Sequence, residues 1–237
     1  MSDMLKYKQV NWIDGMKINK DHFIEQENYN TACIIDNRNT ALNEFNYGLI
    51  PIKRSENKLL NIDVIVDNQN YLIVKILDCH AVTPGGNRIE ISNEGNEENT
   101  LLIRNVEASY NLATAKDNEL FLIISMDPYT RVPVGIAKAN EVPPRLPHVI
   151  PKYKLHILPV KDVVGYRLGP NMLTVGKIIV NNNNPDIDEE YIPPCCSIDA
   201  HPKLSEFHTF IDKNISSLEK SVVQIISNIN EKQETMF

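Results

Sequence analysis

YLIVKILDCHAVTPGGNRIEIS, residues 71–92, contains two strand-like runs separated by the turn sequence TPGGN. The run before the turn, YLIVKIL, and the run after it, NRIEIS, contain many of the β-branched and aromatic side chains that strands favour. Two glycines between such runs are typical of a hairpin turn. The stretch therefore predicts a pair of antiparallel strands, and the hairpin accounts for its glycines without a phosphate-binding loop.

The same pattern extends from about residue 47 to residue 194: short apolar runs alternate with turn sequences such as DPYT (127–130). Many short strands separated by Gly, Pro and Asn predict an antiparallel β-sandwich or barrel and disfavour a parallel α/β sheet. Residues 142–151 and 181–190 are predicted to be exposed excursions from the sheets. The other strand-like runs are NIDVIVD (61–67), TLLIRN (100–105), LFLIISM (120–126), KYKLHIL (152–158) and GKIIV (176–180).

Both ends of the chain are predicted to be helical. Asn19 can cap a first helix from Lys20 to about Asn43, because its side chain can accept free backbone N–H groups at the helix start. Residues from about 204 to 237 contain no glycine or proline, which favours a long second helical region. The predicted fold class is therefore mainly β with helical ends (α+β): an antiparallel β-sandwich preceded by an N-terminal helix and followed by long C-terminal helices. The expected division is an N-terminal helix with a β-domain over 1–200 and a helical region over 201–237.

Composition excludes several classes of protein. The chain has 237 residues and a formal net charge of −7, whereas nucleic-acid-binding proteins and proteins of anionic membrane surfaces carry basic regions. The N-terminus lacks the apolar segment of a secretory signal, and no apolar run approaches the ~20 residues of a membrane helix. Cys33, Cys79, Cys195 and Cys196 lack the spacing of a disulfide framework. We therefore expect a cytoplasmic protein that binds no nucleic acid and does not insert into membranes.

Motifs for catalysis and cofactor binding are missing from the sequence. It contains no G-x-x-x-x-G-K-[ST], G-x-G-x-x-G, G-x-S-x-G or H-E-x-x-H pattern. The best metal candidate combines Cys195, Cys196, His201 and His208, but adjacent cysteines fit poorly with the C-x₂₋₄-C spacing of zinc sites. The acidic residues 186–190 lack the central glycine of an EF-hand loop. The sequence therefore predicts no enzyme, no metal and no cofactor.

The segment WIDGMKINKDHFIEQENY, residues 12–29, contains the only tryptophan of the chain. Trp12, Met16 and Phe23 could form an aromatic ligand platform, and His22 could be a catalytic base, but no catalytic motif accompanies them. Packing of Trp12 against the base of the first helix fits the pattern better. We predict a packing and docking surface for partner proteins, formed by Trp12, Met16, His22 and Phe23.

A heptad pattern runs along the predicted C-terminal helix. Its positions are separated by alternating steps of four and three residues, as in coiled coils. Isoleucine at both kinds of core position favours three or four strands over two. The alternative is an amphipathic helix that folds back on its own β-domain, which Val223 and Ile226 allow because they widen the apolar face. The predicted trimerisation seam consists of Leu204, His208, Ile211, Ile215, Leu218, Val222, Ile225 and Ile229.

Three stretches together resemble the TssK family of baseplate subunits from bacterial type VI secretion systems. The first matches the family pattern W-x-E-G-[ML]-x-L-x-P-Q-H-F with identical spacing from Trp12 to Phe23. The second is DCHAVTPGGNRIEIS (78–92), similar to a strand–turn–strand of the family. The third is EEYIPPCCSIDAHPKLSEF (189–207), close to the family pattern I-P-P-C-x-x-I-x-A-x-P-x-L. Their order and their spread over nearly the whole chain make the resemblance specific.

The resemblance implies a structural, non-enzymatic role. Family members form homotrimers in the cytoplasmic baseplate and have an N-terminal β-sandwich shoulder similar to that of phage receptor-binding proteins. The shoulder faces the wedge subunits TssF and TssG. A helical neck leads to a C-terminal head that contacts the inner-membrane complex, with TssL and TssM as the expected partners. By this resemblance, the chain corresponds to the shoulder and the start of the neck and lacks the head.

The chain also departs from the family pattern. Lys20 stands where the family usually has proline at the first helical position, which weakens the helix start slightly. Asp14 replaces the glutamate of the pattern, and family members are much longer. Two other functions stay open. One is a phage tail adsorption protein with the same shoulder fold. The other is a carbohydrate-binding or hydrolytic β-sandwich enzyme, although no pair of carboxylates on facing strands stands out.

Overall fold

Over its described residues, the chain folds into two antiparallel sheets with a helix before them and a long helix after them. The structure is a computed structural model that describes residues 6–51, 59–92, 106–114, 117–138, 140–163, 165, 168–181 and 184–234, with side chains as far as residue 229. One of the two sheets curls into a half-barrel. The prediction of a mainly β protein with helical ends is confirmed.

Helix α1 (Lys20–Asn39) ends about four residues earlier than predicted. The side chains of Asn43 and Asn46 form hydrogen bonds with nearby backbone groups, which competes with helical bonding. Asn46 accepts the backbone N–H of Asn43 at 2.6 Å and donates to the carbonyl of Ala41 at 2.8 Å. These bonds hold the chain in a turn where the apolar pattern predicted more helix.

In the described part of the chain, the first sheet contains five strands. In chain order they are β1 (Gly48–Leu49), β2 (Leu60–Val66), β3 (Tyr71–Val82), β4 (Arg88–Ile91) and β5 (Val106–Asn111). The central strand β3 pairs with each of the other four. The hairpin predicted over 71–92 is confirmed, and its turn is closed by the N–H of Thr83, which donates to the carbonyl of Asn87 at 2.9 Å. The predicted strand over 100–105 lies outside the described residues.

The second sheet has the strand order β7-β6-β8-β9. Its strands are β6 (Glu119–Val134), β7 (His148–Pro159), β8 (Met172–Asn181) and β9 (Asn184–Ile187), and a short helix α2 (Val160–Val163) follows β7. Strand β6 passes through residues 127–130, so the turn predicted at DPYT is wrong. The pairing register shifts there instead, and the Asp127 carboxylate accepts the N–H groups of Tyr129 and Thr130. A local break in the pairing register, with residues 128–130 unpaired, thus accommodates the sequence that looked like a turn.

The prediction that residues 142–151 and 181–190 are exposed excursions is wrong for part of each segment. Residues 184–187 form β9, which pairs with β8 and buries Pro185. Residues 148–151 belong to β7. Both segments are rich in Asn or Pro, which local patterns assign to loops, but cross-strand pairing with a long apolar strand holds them in extended conformation.

The core lies between the sheets and is built from alternate residues of their central strands. Burial of such aliphatic side chains contributes about 1.5–3 kcal/mol each. The alternation of buried with more exposed positions is clearest in β3. Fully buried members include Leu72, Val74, Ile76, Leu120, Leu122, Ile124, Leu173 and Ile178.

Helix α3 (Pro202–Glu234) begins with proline at its first position, where the missing N–H costs no hydrogen bond. Every side chain from 206 to 229 is exposed. The alternative in which this helix folds back on its own β-domain is therefore not the arrangement of this chain.

Candidate docking surface and neck helix

The start of α1 is closed by reciprocal hydrogen bonds between Asn19 and His22. Oδ1 of Asn19 accepts the N–H groups of Asp21 at 3.0 Å and of His22 at 3.3 Å. In return, the N–H of Asn19 donates to Nδ1 of His22 at 3.2 Å. His22 thus occupies the place that Glu or Gln takes in other capping boxes. The predicted N-cap is confirmed. His22, a candidate catalytic base by sequence, takes part in this cap through its Nδ1 atom.

Three rings cluster at this helix start. The centroid of the Trp12 ring lies 6.1 Å from that of His22 and 6.4 Å from that of Phe23. Trp12 therefore packs at the base of the helix, as predicted. However, 47% of Trp12 and 61% of Phe23 are exposed, so neither is a core residue. We call Trp12, His22 and Phe23 the aromatic surface.

Met16, the fourth predicted docking residue, lies in the turn that leads from Trp12 to α1. It is half-buried, and its N–H donates to the carbonyl of Ile13 at 3.3 Å. Gly15 supports this turn with a φ of 77°. Ile13 and Ile18 on either side are exposed, so apolar surface continues around the aromatic surface.

Arg131 fastens α1 to the second sheet. Its guanidinium forms a salt bridge with Glu27 and donates to Oδ1 of Asn28 at 2.8 Å. At the other end of α1, Nη1 of Arg38 donates to the carbonyl of Gly86 in the β3–β4 turn at 3.3 Å. The helix is thus held to both sheets and carries the aromatic surface on a fixed support.

The I-P-P-C-C stretch joins β1 to the start of α3. The N–H of Leu49 donates to the carbonyl of Pro194 at 2.8 Å, and the N–H of Cys196 donates to the carbonyl of Leu49 at 2.9 Å. Leu49 and Cys195 therefore form a parallel bridge. Gly48 has a φ of 112°, and a Cβ atom on it would lie 1.9 Å from the carbonyl oxygen of Pro194. Only glycine fits at this contact.

The residues of the candidate zinc site have other roles. The Cys195 thiol donates to the carbonyl of Pro193 at 3.2 Å, and burial raises its pKa to about 11, which disfavours the thiolate that binds zinc. Nδ1 of His201 accepts the N–H of Lys203 at 3.3 Å at the start of α3. His208 lies further along α3 and is exposed. Over the ranges that the structure describes, no three His, Cys, Asp or Glu residues are grouped so that they could hold a metal ion.

A cavity of about 920 Å³ lies between the end of α1 and the second sheet. Its described lining includes Leu42, Phe121 and Leu173, together with one carboxylate, from Glu44. A glycosidase needs two carboxyl groups on opposite sides of the scissile bond. The described lining of this cavity does not supply such a pair.

Helix α3 presents an apolar stripe to solvent. Large exposed apolar patches occur at sites of interaction with proteins, membranes or ligands. Among the described residues, no helix is long and apolar enough to span a membrane. The stripe contains the exposed side chains of Phe207, Ile211, Ile215, Leu218, Val222, Ile225 and Ile229, and thus most of the predicted seam.

Comparison with solved structures shows which known proteins have a similar fold. No family model and no curated protein matches the sequence. A crystal structure of TssK matches 92% of this chain with a TM-score of 0.55 and 15% sequence identity. The chain has a TssK-like fold. It spans 49% of that TssK chain, which is about half of its length.

Two further solved structures match this chain. A chain of the baseplate complex from the type VI secretion system matches 92% of this chain and 70% of its own length, with a TM-score of 0.54 and 12% identity. A chain of a TssK-TssF-TssG baseplate subcomplex, determined by cryo-electron microscopy, matches over 83% of this chain and 65% of its own length. Its TM-score is 0.48 and its identity 12%.

The stretches that resemble TssK in sequence lie at contacts that support the TssK-like fold. The first forms the cap of α1, the second contains Gly86, which accepts from Arg38, and the third contains Pro194 at the β1 contact. Sequence reasoning missed Arg131 and Gly48. Glu27 and Arg131 are 104 positions apart, so no local pattern could indicate their salt bridge.

Proposed function

We propose that this chain is a structural, non-enzymatic subunit of a type VI secretion baseplate. The observation that carries this proposal is the TssK-like fold, which extends over 92% of the chain. The three sequence stretches that resemble the TssK family support it separately from the fold. In this role the protein is cytoplasmic and lies at the cytoplasmic face of the inner membrane when the baseplate is assembled.

The aromatic surface is the proposed docking site for the wedge subunits TssF and TssG. Phe23 is largely exposed and Trp12 about half exposed, although α1, which carries Phe23 and contacts Trp12, is held in place by Arg131. Aromatic side chains on a rigid support bind with little loss of conformational entropy, and tryptophan is common among the residues that dominate binding energy. These features favour a contact with protein over an internal packing role.

Helix α3 is the proposed neck of a homotrimer, with residues 1–200 as the shoulder and 201–237 as the start of the neck. The exposed apolar stripe supports this assignment, because the β-domain of the same chain does not cover the stripe. In a longer protein that includes a head, contact with the inner-membrane subunits TssL and TssM belongs to the same proposal.

Co-purification tests the proposal. The tagged chain is co-expressed with TssF and TssG of the same bacterium, and the amount of each subunit retained is measured. We expect the wild type to retain both, and Trp12→Ala/Phe23→Ala to retain at least about tenfold less, as for loss of a binding hot spot. Phe45→Ala is the matched control, because Phe45 is an exposed aromatic residue in the loop after α1. If the wild type retains neither subunit, the proposal is wrong. If all three proteins retain both, the aromatic surface is not the docking site.

A further inference from the structure

The hairpin of β6 and β7 projects beyond its sheet. In the described part of the chain, β8 pairs with β6 from Glu119 to Ser125, whereas β6 and β7 stay paired as far as Val134 and His148. Among the described residues, the distal part of the hairpin is therefore two-stranded. We call residues 131–154 the β6–β7 ribbon, which includes this part of β7 and, at its end, Lys154 opposite Ser125.

One face of the β6–β7 ribbon is fixed to α1. A two-stranded hairpin is marginally stable alone, but Arg131 holds this one through Glu27 and Asn28. Arg131 is opposite Pro151, and Val132 is opposite Ile150. Because side chains alternate between the faces of a strand, Val132 and Ile150 lie on the face away from Arg131.

This outer face combines apolar and basic side chains. Lys152 and Lys154 follow Ile150 at alternate positions of β7, so they lie on the same face, and both are exposed. Both lysines, together with Val132 and Ile150, border a groove of about 260 Å³ that follows the edge of β7 and is also lined by Val106 and Glu107 of β5. Neither lysine forms a salt bridge among the described residues.

Two described carboxylates lie near the lysines, and each has another partner. Glu107, which also lines the groove, pairs with Lys75 at 3.8 Å. Asp127, opposite Lys152, accepts the hydroxyl of Thr130 at 2.6 Å. Within the described residues, the ammonium groups of Lys152 and Lys154 are therefore available to a ligand.

The charge of the ribbon is opposite to that of the protein. Residues 131–154 contain five Lys or Arg residues and one acidic residue, Glu141, although the whole chain has a net charge of −7. Glu141 pairs with Arg145 in the loop of the hairpin. The ribbon is therefore a local positive region on an acidic protein, with apolar side chains at its centre.

We propose that the outer face of the β6–β7 ribbon binds an acidic protein segment that also carries apolar side chains. Carboxylates of the partner would meet Lys152 and Lys154, and its apolar side chains would occupy the groove at Val132 and Ile150. Anionic lipid fits less well, because this face carries two lysines, Lys152 and Lys154, whereas lipid recognition typically uses clusters of four to eight basic residues. This surface is separate from the aromatic surface, and the inference does not depend on the proposed baseplate role.

Lysine and proline also protect edge strands against aggregation, and the experiment must separate that role from binding. The pair K152E/K154E keeps charged side chains on the strand and so keeps protection, but reverses the attraction for an acidic partner. K152Q/K154Q removes the charge without reversing it. The control is K213E/K220E, two exposed lysines of α3, which changes the net charge of the protein by the same amount.

The probe is a fluorescent synthetic peptide of alternating Glu and Leu, titrated with the full chain and followed by anisotropy. We expect wild type and K213E/K220E to bind it, with an affinity that falls as salt is added. We expect K152Q/K154Q to bind more weakly and K152E/K154E at least about tenfold more weakly, as expected when attraction at close charge pairs is lost or reversed. A peptide of alternating Gln and Leu should also bind at least about tenfold more weakly.

Four results would overturn the proposal. They are no binding by the wild type, equal binding of the Gln and Glu peptides, an equal loss in K213E/K220E, and binding to phosphatidylglycerol vesicles without binding to the peptide. Self-association that K152E/K154E abolishes, seen without peptide binding, would assign the face to a second copy of the chain and would likewise overturn it.

Discussion

Gly48 lies against the carbonyl group of Pro194 with no space for a side chain between them. This contact connects β1, which follows the N-terminal helix, to the stretch that leads into the neck helix. It places the two ends of the β-domain side by side, so that the support of α1 and the origin of α3 form one continuous structure.

Gly48→Ala should destabilise the protein by about 3 kcal/mol or more, because it combines a backbone conformation found almost only in glycine with overlap at Pro194. Gly15→Ala is the control, since Gly15 also has a positive φ but has no atom within 4 Å of an added Cβ. It should cost about 1–2 kcal/mol. Urea unfolding measures both. Equal losses of unfolding free energy in the two variants would show that overlap with Pro194 does not contribute to the effect of Gly48→Ala.

Truncation of the aromatic surface should weaken partner binding more than folding. Trp12→Ala and Phe23→Ala should each cost only about 1–2 kcal/mol of unfolding free energy, because both side chains are about half exposed or more. Leu122→Ala, in the core, is the reference and should cost about 2–5 kcal/mol. Thermal and urea unfolding compare the three. If Trp12→Ala lowers the unfolding free energy as much as Leu122→Ala does, Trp12 is a core residue.

Stability should fall as the pH decreases from neutral. Burial lowers the pKa values of His80, His156 and His201 in the folded state. An unfolded histidine has a pKa of about 6.5, so the unfolded state takes up protons first as the pH falls. The stabilisation is therefore complete above about pH 7 and is lost progressively below about pH 6.5.

Urea unfolding at pH 8, 7, 6 and 5 tests this pH dependence. The unfolding free energy should be constant at the upper end and decrease at the lower end. His201→Asn should make the decrease smaller, because Asn can accept the N–H of Lys203 without titrating. A constant unfolding free energy of the wild type down to pH 5 would contradict the lowered pKa values of these three histidines.

The fold class was predictable because the strand-like runs are apolar enough to form a core wherever they pair. The cap at Asn19 was also predictable, since capping depends on residues three positions apart. Local patterns failed where a distant partner decides the outcome. Residues 127–130 look like a turn but lie within β6 at a shift of its pairing register, and residues 184–187 look like a loop but pair with β8.

The candidate site was predictable only in part. The spacing from Trp12 to Phe23 indicated that these side chains belong together, and the structure brings their rings within 6.4 Å. Whether they face the core or solvent depends on how α1 lies on the sheets. Arg131 fixes that orientation from a strand far along the chain, so the exposure of the two rings required the structure.

The molar mass of the chain in solution tests most directly whether it is a trimeric assembly subunit. Light scattering should give about 81 kDa for the wild type, three times the 27.0 kDa of one chain. Ile215→Asp/Val222→Asp places carboxylates in the apolar stripe and should give a folded monomer, whereas Lys213→Glu/Lys220→Glu, outside the seam, should stay trimeric. A wild-type monomer at high concentration would contradict the account of α3 as the neck of a trimer.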